Sequence, residues 1–472
     1  MASSRKSKPA SGDGVEVAAA AALKPWIFPG ARLVLGLSGG IDSVVLLEVL
    51  HRLAAPLGFR LACLHVNHGI SPNARLWTAF CANLCKARGI PLALNDVDVR
   101  LYRNEGLEAA ARRARYQVFA MQECADFIVL AQHLDDQGET LLLQLLRGAG
   151  VKGGAAMPVM RAQNSGKGAA PGILRPMLEV SRQQIMAYAV AHKLKWVEDE
   201  SNADTRYERN FLRHKVLPVI GEAFPGYRTT LGRAARNLAE ASLLLDGLAA
   251  ADAKFALRGN RLAIEKLQRI GVERAKNLLR WILNRRGSAA PEADRLQEAL
   301  RQIIEADDDA SVRVVLGAYE LRRFSEDAYL LPVERDPPGA LRRAWDGKRV
   351  WQLPELGGSL HFARRRGAGL SAARVLARGL TVRLRQGGER LRLRAQGPTR
   401  SLKNLLQESR MPPWERDRLP LIYCADTLVA VPGLGVASDW QAGSDETGWM
   451  LAWRRLEPEL LRGNSLRVDL AV

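Results

Sequence analysis

The sequence contains no run of roughly 18 or more apolar residues, so no segment is expected to span a membrane as a helix. Cysteine is scarce: Cys63, Cys81, Cys85, Cys124 and Cys424 are the full set, with no C-x-x-C pair. That excludes a disulfide framework and fits a reducing compartment. Cys81 and Cys85 stand four apart in an expected helix but lack companion ligands, so they read as buried structural cysteines rather than half of a metal site. Near the N-terminus, Arg5, Lys6 and Lys8 precede an Ala-rich stretch that Asp13 and Glu16 interrupt. It has no cleavage pattern, so a cytoplasmic protein is expected rather than a secreted one. Internal repeats are absent. Acidic residues are also in deficit, 50 Asp and Glu against 69 Lys and Arg, for a net charge of +19. So basic a chain points to an acidic polymer as partner, nucleic acid first, although an Arg-rich proteome would also produce this bias.

With 472 residues, 47% hydrophobic and 25% charged, the chain has the composition of a globular protein of several domains. Short β-type runs at Arg32 to Leu37, Arg60 to Val66, Pro91 to Val99 and Phe127 to Ala131 alternate with helical patterns. This predicts an α/β fold, a doubly wound parallel sheet covered on both faces, with ligands at the carboxyl ends of the strands. Residues 162 to 172 have the composition of a flexible surface loop. Long amphipathic stretches at Tyr227 to Ala253 and Val272 to Arg286 predict a mainly helical middle domain, followed by strands from Val312 to Leu331. A small α+β C-terminal domain is expected after the Pro337-Pro338-Gly339 break. The expected divisions are an N-terminal extension (1–28), a catalytic domain (29–217), a middle domain (218–335) and a C-terminal nucleic-acid-binding domain (336–472).

Between the apolar run ending at Leu37 and the helix that starts near Asp42 lies Ser38-Gly39-Gly40-Ile41-Asp42-Ser43. A loop opening onto a helix N-terminus presents unpaired backbone N–H groups and the positive end of the helix dipole to an anion. Gly39 and Gly40 let the backbone approach pyrophosphate, Ser38 and Ser43 can donate to phosphate oxygens, and Asp42 can hold Mg2+. No Lys follows the glycines, so this is not the Walker-type loop. It resembles the S-G-G-x-D-S signature of the PP-loop ATP pyrophosphatases, which implies ATP as cofactor, bound by Ser38, Gly39, Gly40, Ile41, Asp42 and Ser43.

Four further segments follow in order: His65-Val-Asn67-His68-Gly69; Glu108 through Arg112, Arg115 and Tyr116; Ala131-Gln132-His133-Leu134-Asp135-Asp136-Gln137-Gly138-Glu139; and Trp196 through Asp199, Ser201 and Asn202 to Arg209, Asn210 and Arg213. Near the other end stand Arg385-Gln-Gly-Gly388-Glu389 and Ser401-Leu-Lys403 through Pro412-Pro-Trp414. In this order and spacing the chain is similar to the tRNA(Ile)-lysidine synthetase family, and the resemblance covers both ends. It departs from the family at Gln132, where His is usual, and along the Gly-rich stretch 147–157.

The resemblance implies that ATP adenylylates C2 of the wobble cytidine in an isoleucine tRNA with a CAU anticodon. The ε-amine of L-lysine then displaces AMP. Asp42, His133, Asp135, Asp136, Arg112 and Arg115 become catalytic candidates, His65 a nucleotide contact, and Asp42 the candidate for Mg2+. The acids Asp135, Asp136 and Glu139 have two chemical uses, metal coordination or neutralising an ammonium, and a plain reading as first-turn acids at a helix start. Arg112 with Arg115, and Arg209 with Arg213, are spaced to share helix faces and would suit phosphate, or would form solvated faces. From Leu380 to Lys403, seven Lys or Arg residues face one Glu. Arg392, Arg394 and Lys403 in this run, like Arg209 and Arg213, are expected to meet tRNA. A homodimer is left open. The enzyme rival is another PP-loop tRNA-modifying enzyme such as a thiolase, which should show reactive cysteines.

Overall fold

The computed structural model describes residues 13–98, 106–165, 168–198, 200, 204–259, 261–289, 291–307, 310–333 and 340–455. Asp199, Ser201, Asn202, the Pro337-Pro338-Gly339 break, the side chain of Glu108 and the first twelve residues of the expected N-terminal extension lie outside the described residues. The chain divides into two compact units, Met1–Leu245 and Asp246–Val472. No described helix is long and apolar enough to cross a membrane.

The first unit is built on a six-stranded sheet in the order β3-β2-β1-β4-β6-β5. Its strands are β1 (Arg32–Gly36), β2 (Arg60–Asn67), β3 (Leu92–Asp96), β4 (Phe127–Val129), β5 (Met160–Ser165) and β6 (Gly168–Leu174). All are parallel except β5, which is antiparallel to β6. Leu33 pairs with Leu61 on one side and Phe127 on the other, which places β1 in the middle. The helices are α1 (Asp13–Leu23), α2 (Ile41–Leu57), α3 (Ala74–Lys86), α4 (Leu107–Ala120), α5 (Leu134–Leu146), α6 (Val151–Gly154), α7 (Arg182–Ala191), α8 (Glu208–Phe211), α9 (Leu217–Ala223) and α10 (Tyr227–Ala256).

Two apolar clusters lie on opposite faces of the sheet, because neighbouring residues of a strand point to opposite sides. Leu33, Leu35, Cys63 and Val129 pack with α1, α2, α3 and α7. Leu64, Ile128 and Ile173 pack with Val118 and Phe119 of α4. The doubly wound α/β arrangement is therefore present. α1 falls within the expected N-terminal extension, yet Val15, Ala19 and Leu23 are buried in the first cluster.

Within the expected loop at 162–172, residues 162–165 belong instead to β5 and 168–172 to β6, which pair antiparallel, while 166 and 167 lie outside the described residues. Ile173 and Leu174 are fully buried and pair β6 to β4, and that pairing draws the polar, Gly-rich stretch into the sheet.

The second unit begins within α10 and continues, after two short strands at Leu257–Arg258 and Arg261–Ala263, with α11 (Ile264–Ile270), α12 (Val272–Arg285) and α13 (Ala293–Glu305). They pack on a five-stranded antiparallel sheet, of which the sequence pattern indicates only the part from Val312 to Leu331. Beyond residue 340 the chain forms two further antiparallel sheets, of five and four strands, and a two-stranded ribbon that pairs Arg390–Leu391 with Arg400–Ser401.

Candidate active site

The loop after β1 carries the first half of the site. Gly39 has φ of +89°, and a Cβ there would sit 2.9 Å from Val197 Cγ2 and 3.2 Å from Cys81 Sγ, so glycine is required twice over. Ser43 Oγ donates to Gly40 O at 2.9 Å and accepts from Gly39 N at 3.1 Å, and Ser38 Oγ lies 3.1 Å from Ser43 Oγ. The backbone N–H of Val197 donates to Gly39 O at 3.0 Å, bracing the loop from the segment after α7. At the end of β2, His65 is buried, with Nδ1 2.8 Å from Leu37 O, so the other ring nitrogen is left to the site.

The second half is the start of α5. Leu134 N–H donates to Val180 O, and His133 pairs with Met177 in an isolated parallel bridge, fixing the turn after β4. His133 is 1% exposed. Its Nε2 lies 3.7 Å from Asp42 Oδ1 and 3.6 Å from Asp136 Oδ2, its Nδ1 3.8 Å from Asp135 Oδ2. Nδ1 is buried without a hydrogen-bond partner. One imidazole is thus ringed by carboxylates from two helices.

Each carboxylate also meets a guanidinium. Arg182 Nη1 lies 3.0 and 3.2 Å from the two oxygens of Asp42, and its backbone N–H donates to Asp135 at 2.9 Å. Arg228, in the first turn of α10, pairs with Asp135 through Nε. Glu139, 1% exposed, is held by Arg209 Nε at 2.7 Å and Arg213 Nε at 2.6 Å, and both guanidiniums also reach Asp136, at 2.9 and 3.1 Å. Burial pushes the Asp136 carboxyl up, but His133, Arg209, Arg213 and the His133 backbone N–H more than reverse this and hold it below the usual range. A π turn at Leu212–Val216 carries Arg213. Such turns add a residue to a helix and re-aim its side chains, often at functional sites.

Glycines let the helices approach closely enough for these pairs. A Cβ on Gly232 would meet Leu134 at 2.7 Å, one on Gly138 Leu231 at 3.3 Å, and one on Gly154 Leu238 at 2.8 Å. This gives the Gly-rich stretch before β5 a packing role. Beside Asp135 opens a groove of about 780 Å³, walled by Met186, Ala187 and Val190 of α7, with Arg182 and Arg228 at its polar end.

The structure therefore brings together Ser38 to Ser43, His133, Asp135, Asp136 and Glu139. Arg209 and Arg213 lie inside this cluster as counter-ions. Arg112 and Arg115 lie on α4: Arg112 stacks on Tyr116, its Cζ 5.1 Å from the ring centre, and Arg115 reaches His68 Nε2 at 3.4 Å. Arg182 and Arg228 escape sequence reasoning, since nothing local marks them; both come from segments distant in sequence.

In the second unit, Arg394 and Lys403 are exposed. Arg392 is paired with Asp439 at 2.7 and 2.9 Å, Arg383 with Asp426 at 2.8 Å, and Arg400 with Glu408. The positive run from Leu380 to Lys403 is therefore partly neutralised by acids from elsewhere in the chain.

Among the described residues no group of three or more His, Cys, Asp or Glu side chains forms a metal cage. Asp42 nevertheless fits a magnesium ion bound with a nucleotide, because Mg2+ commonly takes only one or two carboxylates and completes its shell with phosphate and water.

Comparison with known proteins gives three family matches: PP-loop domain over residues 15–220, TilS substrate binding domain over 262–329, and TilS substrate C-terminal domain over 380–453. The chain is 42% identical over 431 residues to a tRNA(Ile)-lysidine synthase of Nitrosomonas europaea, covering 91% of this chain and 93% of that one. A protein of the same name from an Azoarcus species is 43% identical over 428 residues, covering 90% and 92%.

Proposed function

The chain belongs to the tRNA(Ile)-lysidine synthase family, and from that premise we propose that it uses ATP to adenylylate C2 of the wobble cytidine of a CAU-anticodon isoleucine tRNA and resolves the adduct with the ε-amine of lysine. It is an ATP-dependent carbon–nitrogen ligase that releases AMP and pyrophosphate. The observation that carries this reading is the buried His133 among Asp42, Asp135 and Asp136, beside a glycine loop at a helix start.

The C2 oxygen is a poor leaving group, so it has to be activated before an amine can displace it. The loop supplies phosphate binding through Ser38, Ser43 and the α2 N-terminus, with charge placed before the reaction begins. Asp42 would hold Mg2+, which supplies neutralisation of the departing pyrophosphate. The guanidinium of Arg182, which meets both oxygens of Asp42, would have to give way to the ion.

Lysine is proposed to lie in the groove beside Asp135, its methylenes along Met186 and Val190. An unperturbed lysine amine, with a pKa of about 10.4, is protonated at neutral pH and has to lose a proton before it attacks. His133 Nδ1 is uncommitted and 3.8 Å from Asp135, so this pair is suited to accept it. Asp136 and Glu139, already held by Arg209 and Arg213, keep the start of α5 in place and contribute negative field. In the second unit, Arg394 and Lys403 are proposed to follow tRNA phosphates.

A thiolase would need a reactive thiol at this site. Cys63, Cys81, Cys85 and Cys424 are buried, and the exposed Cys124 precedes β4 at the opposite end of the sheet. The test is pyrophosphate release with unmodified isoleucine tRNA, ATP and each common amino acid. Product that forms only with lysine supports the reading; product formed without regard to lysine overturns it.

A further inference from the structure

Arg175, the residue after β6, is 2% exposed, yet no carboxylate among the described residues pairs with it. Its partners are neutral: Nε donates to Gln132 Oε1 at 2.9 Å and Nη1 to Pro158 O at 2.9 Å. Burying a guanidinium against carbonyl oxygens alone leaves its charge uncompensated, a costly arrangement unless an anion completes it. Gln132 stands next to His133, so this charge is tied directly to the turn that carries the reacting histidine.

Two more cations converge on the same place. Arg112 Cζ lies 5.1 Å and Arg161 Cζ 5.2 Å from the ring centre of Tyr116. Stacking on a phenol fixes a guanidinium plane while leaving its N–H edges free, the form in which arginine grips phosphate. The Tyr116 hydroxyl is buried and faces the Arg175 guanidinium. Burial pushes its pKa up, and the charges of Arg112, Arg175 and Arg161 more than reverse that. Three cations thus gather about one phenol, and among the described residues no carboxylate pairs with Arg175.

We infer that Arg112, Arg161, Arg175 and Tyr116 form a phosphate site for the tRNA backbone next to the target cytidine, separate from the loop that holds ATP. The separation rests on the fold: Ser38 to Ser43 open onto α2 on one face of the sheet, whereas Arg112 and Tyr116 belong to α4 on the other. Single-stranded RNA, the form of an anticodon loop, is commonly held by bases stacked on aromatic rings or on guanidinium planes, and exposed Arg112 and Arg161 offer such planes beside the phosphate contacts. The inference rests on the tRNA reading above.

The experiment uses the full chain with Arg161→Gln and Tyr116→Phe, neither of which removes a buried charge. Affinity for unmodified isoleucine tRNA is measured across a salt series, together with the KM for ATP in pyrophosphate release. Arg161→Gln is expected to weaken tRNA binding about tenfold and to reduce the slope of log affinity against log salt by about 0.7, one single-stranded phosphate contact. Tyr116→Phe is expected to weaken binding about threefold, with the KM for ATP unchanged in both. Wild-type tRNA affinity and slope in both variants would overturn the inference. A raised KM for ATP with unchanged tRNA binding would also overturn it, assigning the site to the triphosphate. Lysine-dependent product by the wild type in the same assay separates failure of this inference from failure of the functional reading.

Discussion

Arg182 Nη1 of α7 lies 3.0 Å from Asp42 Oδ2 of α2, so the carboxylate at the phosphate loop has a guanidinium as its counter-ion. Asp42 is 30% exposed at its side chain, and its close charged neighbours are the half-exposed Arg182 and the buried His133. Asp42→Asn should therefore fold with a melting temperature within a few degrees of wild type while kcat for pyrophosphate release falls by about 10²–10³. Retention of more than a tenth of the wild-type rate would show that Asp42 has no part in the phosphate chemistry.

Gly39→Ala has to accommodate a Cβ at positive φ, 2.9 Å from Val197 and 3.2 Å from Cys81. The cost should be about 1–3 kcal/mol, taken largely as displacement of the loop. The KM for ATP should rise at least tenfold, by initial-rate measurement. A normal KM would show that the loop's backbone does not touch the nucleotide.

Glu139→Gln leaves Arg209 and Arg213 sharing Asp136 alone. Breaking a buried pair costs about 3–5 kcal/mol, which for a unit of this size lowers the melting temperature by roughly 10 °C. Adding Arg213→Met to that variant should restore part of the loss, because the surplus cation goes too. Thermal unfolding of the two variants decides this, and a single variant as stable as wild type would remove the network from the account.

His68 has its pKa lowered to about 4 by burial, by Arg115 and by His65. An unfolded chain protonates this ring near pH 6.5, whereas the folded protein leaves it neutral until about pH 4. The unfolded state therefore binds more protons in that window, and stability should fall as pH drops through it, then level off. Allowing for partial exposure, the loss attributable to His68 is about 2 kcal/mol. Urea unfolding at pH 7 and pH 4.5 should show it, and His68→Asn should shrink the difference; an unchanged difference would contradict the assignment.

In the second unit, Arg392 is matched by Asp439 and Arg394 is exposed. Arg394→Glu should therefore weaken tRNA binding more than Arg392→Glu at moderate salt, with the KM for ATP and lysine unaffected. The reverse order in a filter-binding series would place the phosphates elsewhere.

The parts legible in the sequence are those set by local pattern. Leu33 to Leu37 had to be a buried strand, and Ser38 to Ser43 had to open a helix, because apolar continuity and the glycines say so within ten residues. Asp135, Asp136 and Glu139 were visible for the same reason. Their partners were not: Arg182 and Arg228 meet them only through tertiary folding, and neither has a distinctive neighbourhood in the chain. The pairing of 160–165 with 168–174 is not legible, because the Gly, Ala and Asn composition suggests a loop, while Ile173 and Leu174, just past the expected stretch, pull it into the sheet. Arg175 is equally silent in the sequence, since a single arginine after a strand carries no signal until its burial is known.

The acids around His133 have a further consequence. Their charge is met by arginines of two kinds: Arg209 and Arg213, about one quarter exposed, and Arg182 and Arg228, nearly half exposed. Entry of a cation would thus be an exchange rather than the filling of a bare anionic hole. On the proposed reading, an incoming ammonium or metal ion would replace a tethered guanidinium that swings to water, with the dehydration of the carboxylates already met when the chain folds. Selectivity then depends on which cation outcompetes an arginine at that position. A small, strongly coordinating ion can do so at Asp42, and an amine with a long apolar stem can do so at Asp135, where Met186 and Val190 add to its hold and offer nothing to a bare ion.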